Sequence, residues 1–129
     1  MIYSIGIDIV YIPRIVRILH IYGEKFLTKI CTAQEIKAST KYHNNTMLAK
    51  HFAKRFAAKE ACVKALGNAC SKNMRMKYIE VYNDLTGRPY ISIKQDLLSR
   101  NYIIHLSLSD DGEYATAFVI ASHENPATL

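Results

Sequence analysis

The sequence predicts an α+β fold: a long central helix packed on a mainly antiparallel sheet, in one small domain. Three stretches carry that expectation. Residues 47 to 66 are good helix formers without Gly or Pro, and Gly67 supplies a stop. Residues 2 to 10 alternate in polarity as a strand does. Residues 102 to 109 and 113 to 121 read as two strands joined at Asp111-Gly112, a strong tight-turn dipeptide. Strand, helices, then antiparallel strands is an α+β order.

Composition narrows the class. A chain of 129 residues that is 50% hydrophobic and 22% charged suits one compact domain over residues 1 to 129 with a modest core. No apolar run is long enough to span a bilayer, and the N-terminus lacks the pattern of a secretory signal, so a cytoplasmic protein is expected. Cys31, Cys62 and Cys70 show no CxxC spacing and read as free thiols in a reducing compartment. The net charge of +6 favours an acidic partner: nucleic acid, membrane surface, phosphorylated cofactor or acidic protein. Its basic residues form no block, and no RNP, zinc-finger or P-loop pattern accompanies them. A basic nucleic-acid-binding α+β module without catalysis remains the alternative to an enzyme.

In the first strand Ile5, Ile7 and Ile9 point one way and Ser4, Gly6 and Asp8 the other. An aspartate suits a strand when its face is wet or coordinates something, and Gly6 leaves room for a ligand; the alternative is an Asp satisfying backbone donors at the strand end. Pro13 fits the first turn of a helix to about residue 22, with Ile12, Ile15, Val16 and Leu19 inward and Arg14 and Arg17 together outside. Gly23 closes it, residues 24 to 30 read as helical or irregular, and Thr32-Ala33-Gln34-Glu35 has capping-box spacing for a helix to about residue 40.

The central helix, capped by Asn45 or Thr46, puts Ala53, Phe56, Ala57, Glu60, Val63 and Lys64 on one broad face. A glutamate there must keep access to water, become neutral or hold a cation; the alternative is an exposed Glu60–Lys64 pair worth ~0.2–0.5 kcal/mol. His43 and His51 lack metal-ligand spacing and read as surface or structural. Strands over 77 to 83 and 90 to 93 flank a turn at 84 to 89, and a short surface helix is expected in 94 to 101. In the hairpin, Ile104, Leu106 and Leu108 alternate with His105, Ser107 and Ser109, giving one apolar face and one that could line a polar interface. The tail containing Pro126 is expected to fray.

Two motifs also carry a family resemblance. Gly6-Ile7-Asp8-Ile9-Val10-Tyr11-Ile12-Pro13-Arg14-Ile15 resembles the N-terminal signature of the holo-[acyl-carrier-protein] synthases, and Phe56 to Ala65 resembles their second signature, FxxKEAxxKA. The turn Asn83 to Pro89 and the run His105 to Ala117 are similar to family features in family order. The resemblance implies a small, typically trimeric α+β enzyme of the 4′-phosphopantetheinyl transferase type. Such an enzyme moves 4′-phosphopantetheine from coenzyme A to a serine of apo-acyl carrier protein, with Mg2+ as cofactor, in fatty acid biosynthesis. It further implies Asp8 and Glu60 as metal ligands, with Asp8, Glu60 and Lys64 catalytic: Glu60, directly or through a metal-bound water, accepting the serine proton, and Lys64 reaching the phosphates or guiding that proton. Arg55, Lys64, Gly87, Arg88 and Pro89 would bind the coenzyme, Arg14 and Arg17 would dock the carrier, and active sites would lie between protomers, without nucleic acid or membrane. Two positions depart from the common pattern, Gly67-Asn68-Ala69 in place of Gly-x-Gly and Asp110 where many members carry His.

Overall fold

The computed structural model describes residues 1 to 123, apart from the side chain of Gln95. The expectation for the tail containing Pro126 lies outside the described residues. The elements in order are β1 (Ile2–Tyr11), α1 (Ile12–Tyr22), α2 (Glu24–Ile30), α3 (Ala33–Ala38), α4 (Asn45–Leu66), β2 (Ile79–Asn83), β3 (Pro89–Ile93), β4 (Tyr102–Asp111) and β5 (Tyr114–His123). β1, β5 and β4 form an antiparallel sheet in that order, and β2 pairs with β3 in a second, two-stranded sheet.

α4 lies across one face of the larger sheet, and the contact is alanine against alanine. Ala53, Ala57, Ala58, Ala61 and Ala65 of the helix are buried, as are Ala115, Ala117 and Ala121 of β5. Small side chains let helix and strands approach closely. Gly6 takes the approach to its limit, since a Cβ there would sit 2.0 Å from the Ala61 carbonyl oxygen and 2.8 Å from the Ala65 nitrogen. β1 therefore turns its Gly6, Asp8 and Val10 side toward α4, and the isoleucines look outward: Ile5, Ile7 and Ile9 are 58%, 63% and 62% exposed. In the register Ile7 stands opposite Phe118 and Phe118 opposite Ser107, while Ile9 aligns with Thr116 and then Ser109. The outer face thus combines an apolar β1 half with a polar β4 half.

Several boundaries differ from expectation for local reasons. Asn44, one residue before the anticipated caps, closes α4 by accepting from the N–H groups of Thr46 and Met47 at 2.7 and 3.3 Å. Thr32 and Glu35 form the full reciprocal capping box of α3. Val16, expected inward, is 40% exposed, because α1 packs through Ile12 and Ile15. Residues 94 to 101 yield only a 3-10 turn at Gln95–Leu97, followed by a bridge between Leu98 and Cys70 that takes the backbone out of helix. The β4–β5 loop is Gly112-Glu113, with Gly112 at φ +57° and Asp111 still paired with Tyr114, so Asp111 ends the strand instead of opening the turn. Burial pushes the Cys31 and Cys62 thiols up to about 12, and all three cysteines are free.

Candidate active site

Two sets of polar side chains stand on α4, facing different neighbours. The first meets β1. Because Gly6 lets the strand rest on the helix, Asp8, two residues on, comes within reach of the next turns of α4. Its Oδ1 accepts from Lys64 Nζ at 2.9 Å, and Lys64 also donates to the Ile7 carbonyl at 3.0 Å. The Asp8 side chain is 17% exposed and that of Lys64 55%, so the pair sits at a rim. Glu60, one turn before Lys64, is half-buried. Among the described residues its carboxylate joins no ion pair, and the i, i+4 pair with Lys64 does not form: Lys64 bonds across to the strand.

Asp8 and Glu60 are a hard-oxygen donor set suited to a divalent cation. Asp8 uses one carboxylate oxygen on Lys64 and has the other to offer, and Glu60 offers both. Among the described residues no cluster of three or more His, Cys, Asp or Glu side chains forms a cage. Mg2+ in general takes one or two carboxylates and completes its shell with water and substrate phosphate.

The second set lines a cleft of about 900 Å³ between α3, α4 and the β2–β3 turn, and none of Asp8, Glu60 or Lys64 borders it. Arg55 is buried, and its Nη2 donates to Asn83 Oδ1 at 2.7 Å while Asn83 Nδ2 donates to the Gly87 carbonyl at 2.9 Å. The guanidinium is thereby tied to the Gly87-Pro89 wall. Its Nε, also buried, has no partner among the described residues. Burial lowers Arg55 from its usual value, opposed chiefly by the Glu35 charge. Asp84 shapes the turn by accepting from the Thr86 and Arg88 N–H groups at 2.8 and 3.0 Å, and its bonds from Thr86 hold its carboxyl below the usual range. Lys54 pairs with Asp110 at 3.2 Å across the same cleft.

The remaining sequence-derived residues fall around these sets. Gly87 and Pro89 line the cleft, whereas the Arg88 side chain turns away to lie 5.8 Å over the Tyr90 ring. Arg14 and Arg17 are both exposed on α1, and Arg17 borders a shallow groove with Val16, Leu19, Leu27 and Leu48. His51 is buried beside Tyr42, and burial, followed by the charges of Arg55, Lys41 and Lys54, holds its imidazole down to about 3. Sequence reasoning missed the fully buried Lys59–Glu35 pair at 2.5 Å. The signal for one half was present, since the capping box fixes Glu35 at the start of α3; nothing local marks Lys59 as buried.

The chain belongs to the 4′-phosphopantetheinyl transferase superfamily, whose family model matches residues 4–119. It is 59% identical over 120 residues to a holo-[acyl-carrier-protein] synthase of Wolbachia pipientis subsp. Culex pipiens, covering 93% of this chain and 97% of the relative. Among solved structures it is similar to the holo-(acyl-carrier-protein) synthase of Bacillus anthracis in complex with CoA (3′,5′-ADP), with TM-score 0.80, 37% identity, and 94% and 96% of the two chains covered. The Helicobacter pylori enzyme in complex with coenzyme A gives TM-score 0.79 at 30% identity, over 92% of this chain and 99% of that one.

Proposed function

We propose that this chain, acting as one domain, is a holo-[acyl-carrier-protein] synthase that transfers 4′-phosphopantetheine from coenzyme A to a serine of apo-acyl carrier protein. The similarity to synthases supports the reaction, and the observation that carries the site is the meeting of Asp8 and Lys64 at 2.9 Å, one helical turn from Glu60. The serine oxygen forms a bond to the phosphorus that bears pantetheine, the bridging P–O bond of the pyrophosphate breaks, and 3′,5′-ADP leaves with the bridging oxygen. Asp8 and Glu60 would hold Mg2+, which supplies charge neutralisation on the phosphate oxygens as the leaving group departs. Lys64 would donate to the same phosphates, a role supported by its position at the rim on Asp8 and the Ile7 carbonyl. Glu60, directly or through a metal-bound water, would accept the serine proton. In the cleft, Arg55 binds coenzyme phosphate and the Gly87-Pro89 wall receives the adenine; Arg88, which lies over Tyr90, would have to swing from that ring to reach the coenzyme.

The assembly proposed is a homotrimer with each active site shared between protomers. The outward Ile5, Ile7, Ile9 and Phe118, a contiguous apolar face, support burial against second copies, and Ser107 and Ser109 extend that face. The separation of Asp8, Glu60 and Lys64 from the cleft within one chain supports two half-sites that complete each other across the interface. No helix of the described residues is long and apolar enough to cross a membrane; a cytoplasmic role in fatty acid biosynthesis fits the reaction. Arg14 and Arg17 offer fixed positive charge for an acidic carrier helix, which accelerates encounter more than it strengthens chemistry. Reversing both charges should raise KM for the carrier and flatten its salt dependence while sparing KM for coenzyme A; equal damage to both would refute the docking role. The reaction itself is tested by incubating the protein with coenzyme A, Mg2+ and purified apo-carrier and weighing the carrier. A gain of one phosphopantetheine is expected, and an unchanged carrier mass rejects the assignment.

A further inference from the structure

Lys59 sits next to Glu60 in sequence yet, about 100° away around α4, is wholly buried where Glu60 is half-exposed. Its ammonium is wholly enclosed, and all three of its protons have acceptors: the Ile30 carbonyl at 2.6 Å, Glu35 Oε1 at 2.5 Å and the Met76 carbonyl at 3.2 Å. Those acceptors belong to the end of α2, the start of α3 and the 3-10 turn leading into β2. Glu35 extends the junction. Its Oε1 accepts from the Thr32 N–H at 2.9 Å and its Oε2 from the Val81 N–H at 3.1 Å, while Thr32 Oγ1 donates to Glu80 at 2.7 Å. A buried ion pair of this kind is poor evidence for stability, because desolvation of both charges offsets much of their attraction. Its saturation and its directionality fix geometry instead.

What that geometry fixes is the cleft. One wall comes from α3 and the residues after it, including Gln34, Lys41 and Tyr42; the other comes from β2 and its turn, including Asn83, Gly87 and Pro89. Glu35 lies between the walls, bonded to both. We propose that Lys59 is a positioning residue for the coenzyme, locking both walls of the cleft to the helix that carries Arg55, Glu60 and Lys64. This rests on the reading of the cleft as the coenzyme site. Lys59 touches neither substrate nor reacting atoms, so loosening it should open the coenzyme site while leaving the carrier surface on α1 in place.

The test replaces both members, Lys59→Met with Glu35→Gln, so that no unpaired charge is left in the interior. Binding of 3′,5′-ADP is measured by calorimetry on the full chain, alongside kcat and KM for each substrate. The paired variant should weaken 3′,5′-ADP binding and raise KM for coenzyme A about tenfold, as expected for the loss of one well-placed contact. Its kcat at saturating coenzyme A and its KM for carrier should stay within about twofold of the parent. Unchanged 3′,5′-ADP affinity, or parallel loss in kcat and both KM values, would overturn the proposal. Should the paired variant not fold, Glu35→Asp keeps the charge beside Lys59 but shortens its reach to Val81; the same split is expected, and parent-like 3′,5′-ADP binding again overturns it. Failure of the parent protein itself to bind 3′,5′-ADP would instead count against the coenzyme-site reading.

Discussion

Adding a single methyl group at Gly6 should separate the two halves of the carboxylate site without dismantling the fold. A Cβ built there lies 2.0 Å from the Ala61 carbonyl oxygen, where ordinary contact begins at 3.4 Å, a shortfall of about 1.4 Å. The obstacle is helix backbone, which has no rotamer to give, so the strand must move. β1 pairs only with β5, at the edge of its sheet, and can tilt away without breaking the β4–β5 pairing. Overpacking of this kind costs about 1–3 kcal/mol, a few degrees or more in Tm for a domain of this size. Asp8, two residues along, moves with the strand, and its 2.9 Å bond to Lys64 is lost. A misplacement of about 1 Å at a reacting site costs on the order of 10²-fold. Gly6→Ala should therefore retain its far-UV circular dichroism, melt somewhat lower, and fall about 100-fold in kcat for carrier modification. Ala61→Gly added to it should not restore activity, because the clash is with the Ala61 carbonyl and not its methyl group. Parent-like kcat, or rescue by Ala61→Gly, would refute the reasoning.

Three further outcomes follow from the same geometry. Asp8→Ala and Glu60→Ala should each greatly reduce transfer while thermal unfolding changes little, since both side chains sit at a rim; full activity of Asp8→Ala at limiting Mg2+ would remove the metal assignment. His51, held down to about 3 in the folded chain against 6.5 when unfolded, binds fewer protons folded than unfolded between those values. Its contribution is thus complete above about pH 6.5 and is lost as pH falls toward about 3, so His51→Phe should flatten the acid side of a urea-midpoint profile, and parallel profiles would contradict the assignment. Ile7→Asp places a charge on the outward face, where it costs little in a single chain but much against a second copy; light scattering should show dissociation together with loss of transfer, and an active, undissociated variant would contradict the shared site.

Much of this architecture could be read from the chain because local physics dictated it. The capping box at Thr32, the proline entering α1 and the alternation of β1 depend on neighbours a few residues away, and all appear as expected. Which face of β1 lies inside did not follow from alternation. Three isoleucines face outward because only the Gly6 side fits a helix at alanine distance. The start of α4 moved by one residue because three successive positions, Asn44, Asn45 and Thr46, are all competent caps, and only the fold selects among them. At the site, the spacing of Glu60 and Lys64 suggested an intrahelical pair, while the real partner of Lys64 is separated from it by 56 positions. The buried partners of Lys59 were invisible for the same reason, being 17 to 29 residues away.

The crowding of roles onto α4 bears on how such a chain can change in length. Between residues 54 and 64 the helix directs Lys54 and Arg55 to the cleft, Lys59 to the interior junction, and Lys64 to β1. Each residue advances the helix by about 100°, so one codon gained or lost inside that segment would swing every later side chain onto the wrong neighbour. No compensating substitution restores all of those partners at once. Insertions and deletions in a lineage of such proteins should therefore be absent from this stretch and collect in surface segments such as the one around Lys72 and Asn73, which are exposed and border neither the cleft nor the carboxylate site.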